Sequence, residues 1–149
     1  MSKKEELRNQ LYTIEYEIDK IKGLYVNDET GMTQTSYYCP RGYTIAGITS
    51  VLERAKRDRD AMKENKLPEA SEKQINYIIK FKNSEMFKGD FKDITDEMIN
   101  NLNKYQASQL IGQLICINNM VYNRCSTAGA LMDEENELDK MMNCIFNRK

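Results

Sequence analysis

The chain has 149 residues, 22 Lys and Arg against 23 Asp and Glu, and neither His nor Trp. That length suits one domain or two small modules, and a formal net charge of -1 provides no whole-molecule field toward nucleic acid or an anionic membrane. Phosphate contact therefore needs a local patch. Without His, neither a Ser-His nor a Cys-His pair can form. The chain also lacks a P-loop, a dinucleotide fingerprint and a His-Glu-x-x-His helix. The expectation is a protein that is not an enzyme and takes no cofactor. No apolar run is long enough for a signal peptide or a membrane span, which sets the expectation of a cytoplasmic protein. Cys39, Cys116, Cys125 and Cys144 stand at wide, irregular spacings without a Cys-x-x-Cys pair. They read as reduced thiols, and no metal site is expected.

Leu7, Leu11, Ile14, Ile18 and Ile21 recur at steps of 4, 3, 4 and 3, the stripe of a helix that faces a partner. Ser2 with Glu5 supplies a capping box at its start, and Gly23 can end it in a left-handed turn. About three heptads make a marginal isolated coiled coil. Packing within the chain is therefore favoured, and dimerisation through these five residues is the alternative.

From Leu24 to Gly47 the helical period is lost, and Gly31, Pro40, Gly42 and Gly47 punctuate a stretch rich in Thr and Tyr. It reads as a small β-hairpin or irregular insertion, in which Leu24-Tyr25-Val26 could pair with residues 33 to 38 across an Asn27 to Gly31 turn. Tyr25, Tyr37, Tyr38 and Tyr43 are candidate partner contacts, because Tyr offers large area with a polar tip. Strand propensity explains them equally well. Ile45, Ile48, Leu52, Ala55 and Met62 then resume helical spacing from a Thr44 cap to about Lys66, before Pro68. Basic and acidic residues mix on its outer face, the pattern of a solvated surface. Arg54 and Arg57 from that face join the candidate partner contacts.

The Leu67 to Ala70 segment is the natural boundary, dividing the chain into 1–67 and 68–149. Beyond it, Ser71 with Gln74 caps a helix with Ile75, Ile78 and Ile79 inward. Thr95 caps a short helix that Ile94 can staple against Ile99. Asn103 with Gln106 opens a longer one with Ala107, Leu110, Ile111, Leu114, Ile115 and Val121 inward. The fold class expected is mainly α, a helical bundle with the insertion near residues 24–47.

Glu72-Lys73-Gln74-Ile75-Asn76-Tyr77-Ile78, followed by Lys104-Tyr105-Gln106-Ala107-Ser108-Gln109-Leu110-Ile111, resembles a small helical module of phage and bacterial proteins. That module opens with E-K-Q-x-x-Y-I, closes with K-x-E-A-S-x-L-I, and often sits at the ends of proteins that handle DNA. The resemblance spans roughly residues 69–115, and Gln106 stands where the module usually carries Glu. It implies a phage or mobile-element context near DNA-processing machinery and brings no catalytic residues. With the small size, it sets the functional expectation: a non-catalytic binding protein that engages a nucleic-acid-processing complex. The sharpest form is an inhibitor of a host CRISPR effector nuclease, an anti-CRISPR. The alternatives are a DNA- or RNA-binding accessory of phage recombination or replication, and a structural dimer through the first helix.

Two further patterns bear on nucleic acid. Tyr77, Phe81, Phe87 and Phe91 alternate with Lys80, Lys82, Lys88 and Lys92, combining rings that can stack on bases with amines that can meet phosphates. Tyr77 and the four lysines are the candidate nucleic-acid contacts; the competing reading places the rings in the core. Asp133, Glu134, Glu135, Glu137 and Asp139 read as the first turns of a terminal helix, where its dipole favours acids. The alternative is a patch that imitates phosphates.

Overall fold

Helix starts follow the caps. Throughout, the computed structural model describes residues 2–39, 42–123 and 127–148. Ser2 accepts the Glu5 N–H and Glu5 returns to the Ser2 N–H, opening α1 (Lys3–Ile21). Thr44 accepts the Gly47 N–H at the start of α2 (Ile45–Glu64). Ser71 and Gln74 close a reciprocal box before α3 (Glu72–Lys82). Thr95 pairs with Met98, whose sulfur stands in for the usual carboxylate, before α4 (Asp96–Asn100). Asn103 and Gln106 exchange bonds at the head of α5 (Lys104–Asn123), and Thr127 caps α6 (Ala128–Ile145). Each cap satisfies N–H groups that the first helical turn leaves unpaired. The fold is mainly helical, with no strand among the described residues.

Two boundaries depart from expectation. Helix α2 stops at Glu64, because Asn65 turns extended and its side-chain amide donates to the Ala61 carbonyl. Helix α6 begins at Ala128, so its first turn holds no acid. Asp133 to Asp139 therefore lie beyond the turn where the helix dipole would favour them.

The backbone divides into two compact units: Met1–Lys22 with Val26–Leu67, and Gly23–Tyr25 with Pro68–Lys149. In the first, Leu7, Leu11, Ile14 and Ile18 are buried and pack with Ile48, Val51, Leu52 and Ala55 of α2. The stripe read as a possible dimer seam is thus occupied within its own unit, with only Ile21 left partly exposed. Burial of each such side chain contributes about 1.5–3 kcal/mol.

The hairpin does not form. Gly23–Tyr25 belongs to the second unit, and the backbone expected to pair with it finds carboxylates instead. Asp19 accepts from the N–H groups of Gln34 and Thr35 at 2.7 and 2.8 Å. Glu15, one turn earlier on α1, accepts from Tyr37 at 2.8 Å. Charged acceptors give short, strong bonds and here replace a strand ladder. The Asn27 to Gly31 turn does form: the Asn27 side chain accepts from Glu29, and Gly31 donates to the Asn27 carbonyl with φ at +66°.

In the second unit α3 packs on α5 and α4, and α5 on α6. Its core gathers Ile78, Phe87, Phe91, Ile94, Ile99, Leu110, Leu114, Ile117, Leu138 and Met142. Val121, expected inward, is 37% exposed because the end of α5 runs past this core. Ala70 donates to the Leu102 carbonyl and Lys104 to that of Pro68, tying the heads of α3 and α5 together. Gly23–Tyr25 lies in this unit outside any helix: Gln106 donates to the Gly23 carbonyl at 3.2 Å, and Leu24 is buried. No helix among the described residues is long and apolar enough to cross a membrane.

Candidate functional site

Helix α3 turns Ile78 fully inward, and Ile75, Ile79 and Phe81 pack against the core edge. That leaves Glu72, Lys73, Asn76, Tyr77 and Lys80 on the exposed side. Two neighbouring depressions, both bordered by Tyr77 and Lys80, lie along α3 and form the candidate groove. The first is shallow and open to solvent, lined by Ser71, Glu72, Lys73, Asn76, Tyr77 and Lys80. The second, about 500 Å³, adds Phe81, Ser84, Glu85 and Met86, with Asn118 and Tyr122 from α5.

The Tyr77 ring is held from below. It meets Phe81 edge-on at 5.2 Å between centroids, and Phe81 meets the buried Phe87 in the same manner at 5.4 Å. Such pairs contribute about 0.5–1.5 kcal/mol beyond their burial, so the ring at the rim is anchored through Phe81 to the core. Tyr77 is 40% exposed and Tyr122 73%. Ser84 donates its hydroxyl to the Phe81 carbonyl at 2.7 Å, which occupies its proton. Lys73 and Lys80 have no carboxylate partner among the described residues.

The four candidate lysines have different surroundings. Tyr77 and Lys80 come together in the groove, but Lys82 is paired with Asp96 at 2.7 Å. Lys88 is exposed in the turns after α3, and Phe87 and Phe91 are only 2% and 1% exposed, filling the core. Lys92 lines a separate depression with Asp90, Asp93 and Asp139. Arg148 crosses that depression, donating to the Asp90 carbonyl, Asp93, Asp139 and Asn143. Burial, followed by the Glu135 and Asp139 carboxylates, pushes the Asp90 carboxyl above its usual range. A phosphate approaching Lys92 would meet these acids as well.

The tyrosine-rich segment is divided too. Tyr25 packs in the second unit. In the first, Tyr37 donates its hydroxyl to Asp58 at 2.6 Å beneath the Arg54 guanidinium, and Tyr43 packs against the core. Burial, then the bond to Asp58, holds the Tyr37 phenol well above its ordinary pKa. Tyr38, at 76% exposed, and Arg57 face solvent. Cys39, Cys116 and Cys144 are free thiols, and Cys125 lies outside the described residues. Burial and the Glu134 carboxylate push the Cys116 thiol up. No group of three His, Cys, Asp or Glu among the described residues is placed to hold a metal.

Sequence reasoning reached Tyr77 and Lys80 through the alternation of aromatic rings with lysines over residues 77–92. It missed Tyr122 and Asn118, which carry no local signal and enter the groove from another helix. Compared with protein-family models, curated proteins and solved structures, the chain matches none.

Proposed function

We propose that this chain is a non-catalytic binding protein of phage or mobile-element type that engages a nucleic-acid-processing complex through the groove along α3. The observation that carries the reading is the groove itself. Tyr77 and Tyr122 stand exposed and line one depression with Phe81 and Met86, together with the polar Lys80, Ser84, Glu85 and Asn118. Exposed aromatic rings among polar side chains are the composition of a contact surface.

The resembled module adds support when its residues are sorted by what they do. Gln74 closes a cap and donates to Ser108 at 3.0 Å, Gln106 caps α5, and Ile75, Ile78, Ala107 and Leu110 pack inward. These residues build the fold. Glu72, Lys73 and Tyr77 of the same motif line the groove instead. Inhibition of a defence nuclease such as a CRISPR effector is the sharpest form of this proposal, with the groove as the inhibitory face.

The test replaces Tyr122 with a photo-crosslinking benzoylphenylalanine in the full chain, with the exposed Lys140 of α6 as control position. Irradiation in cell extract should give adducts to nucleic acid, or to proteins of a nucleic-acid-processing complex, at position 122 and not at 140. Equal adducts at both positions would end the proposal. For the inhibitory form, effector cleavage should be blocked by the wild type and restored by Tyr77→Ala/Tyr122→Ala.

A further inference from the structure

Exposed rings and amines without a carboxylate partner meet along α3, and their combination points to an occupant. Lys73 and Lys80 line the first depression together with Glu72, and Lys80 lines the second as well. Glu85 and Asn118 line the second, beside Tyr77, Phe81, Met86 and Tyr122. We propose that the groove seats one unpaired base of a single-stranded nucleic acid, stacked against Tyr77 and Tyr122. Its phosphate lies at Lys80 and a neighbouring phosphate at Lys73, while an exocyclic amine of the base donates to Glu85. This inference rests on the reading above and names the occupant of the same site.

A base offers a flat π face to an exposed ring whatever its identity, which is why aromatic platforms recur on single-strand surfaces. The Tyr77 ring is well placed for this, since Phe81 and Phe87 brace it from the core side. A phosphate needs a cation that is not already neutralised. Lys80 and Lys73 meet that need among the described residues, whereas Lys82 is bonded to Asp96 and Lys92 sits among acids. Glu72 and Glu85 line the groove as well, so a long run of phosphates is disfavoured and only one or two are accommodated.

Glu85 also gives the site a preference. A carboxylate accepts from the amine of cytosine or adenine, while thymine presents a carbonyl oxygen at the corresponding place and carries no amine. Paired bases are excluded because their faces are covered within the stack, and a base must leave it to enter such a pocket. The net charge of -1 agrees with a contact of a few nucleotides rather than a backbone track.

The experiment measures fluorescence anisotropy of labelled dC, dA and dT hexamers and of a short duplex with the full chain at low and moderate salt. The chain has no Trp and nine Tyr, so the part of the tyrosine quenching that Tyr122→Ala removes reports stacking at this site. The hexamers dC and dA should bind more tightly than dT and the duplex. Tyr122→Ala, at a 73% exposed position that the core does not need, should weaken dC binding about tenfold. Tyr77→Phe, which keeps the ring, should not. Lys80→Ala should reduce the salt slope by about 0.7, the loss of one single-strand phosphate contact. Glu85→Gln should erase the preference over dT.

Absence of hexamer binding at low salt, or binding that Tyr122→Ala leaves intact, would overturn the inference. If a protein adduct at position 122 survives nuclease digestion while no hexamer binds, the occupant is a protein side chain; the base-binding inference falls and the proposed function stands. If both experiments fail, both readings fall.

Discussion

Gln109 holds both backbone groups of Tyr25 at once, accepting from its N–H at 2.9 Å and donating to its carbonyl at 2.7 Å. A single side-chain amide thereby does what a neighbouring strand would do for extended chain. Gln109→Ala should lower stability by about 1–3 kcal/mol, since two polar groups lose their partner in a part-buried place. Gln109→Glu keeps the acceptor and loses the donor, so it should fall between. Urea denaturation reads the difference, and faster hydrogen exchange at the Tyr25 amide locates it.

Gly23 ends α1 with φ at +75°, and a Cβ there would stand 2.6 Å from the Gln106 amide nitrogen. Gly23→Ala should therefore cost about 1–2 kcal/mol for the left-handed backbone alone, plus the clash. Truncating the neighbour as well, in Gly23→Ala/Gln106→Ala, should cost less than the two single changes added, because the steric part disappears. A double-mutant cycle by thermal or urea unfolding measures that coupling. Additive losses would show that the Gln106 side chain simply swings away.

Asp19 is fully buried and carries the N–H groups of both Gln34 and Thr35. Asp19→Ala should cost about 1–3 kcal/mol for each N–H left without a partner. Asp19→Asn, which sets an amide NH2 against one of them, should recover only part. Amide exchange at Gln34 and Thr35 should accelerate in both variants, more than at Tyr37, which Glu15 holds separately. Uniform acceleration across residues 33 to 39 would mean that this segment is held cooperatively.

Glu15 has its pKa raised above the ordinary value of 4.5, first by burial and then by the Asp19 charge, against the lowering effect of the Tyr37 N–H. A carboxyl whose folded pKa is raised adds stability that is complete below its unfolded pKa and is lost as pH rises through the folded one. Stability of the wild type relative to Glu15→Gln should therefore decline as pH rises from 4.5 through the raised value, then level off. Denaturation midpoints of both proteins across that range check the sign. Asp90, raised mainly by burial, should behave alike against Asp90→Asn.

The helix starts were legible because capping is a three-residue affair. Ser2 with Glu5, Ser71 with Gln74, and Asn103 with Gln106 each declare a start without reference to the rest of the chain. Thr127 lacks a Glu or Gln partner three residues on, so the start of α6 was placed too late among its acids. Spacing also found the α1 stripe, although its partner helix could not be read. The surroundings of the four candidate lysines were not legible for a related reason. Helical order ends at Lys82, so Lys88 and Lys92 follow turns rather than the α3 face, and Phe87 and Phe91 go inward.

By itself, then, the amino-acid order determined the elements: where most helices begin and which of their faces are apolar. Those properties depend on groups a few residues apart, whose geometry the helix supplies. The tertiary structure alone decided what meets what. It gave the backbone of Gln34, Thr35 and Tyr37 to Asp19 and Glu15 rather than to a strand, and that of Tyr25 to Gln109. It also brought Asn118 and Tyr122 across to α3 to complete the groove. A carboxylate or amide can satisfy any N–H that the packed core delivers to it, so such pairings follow from the packing of elements rather than from local spacing.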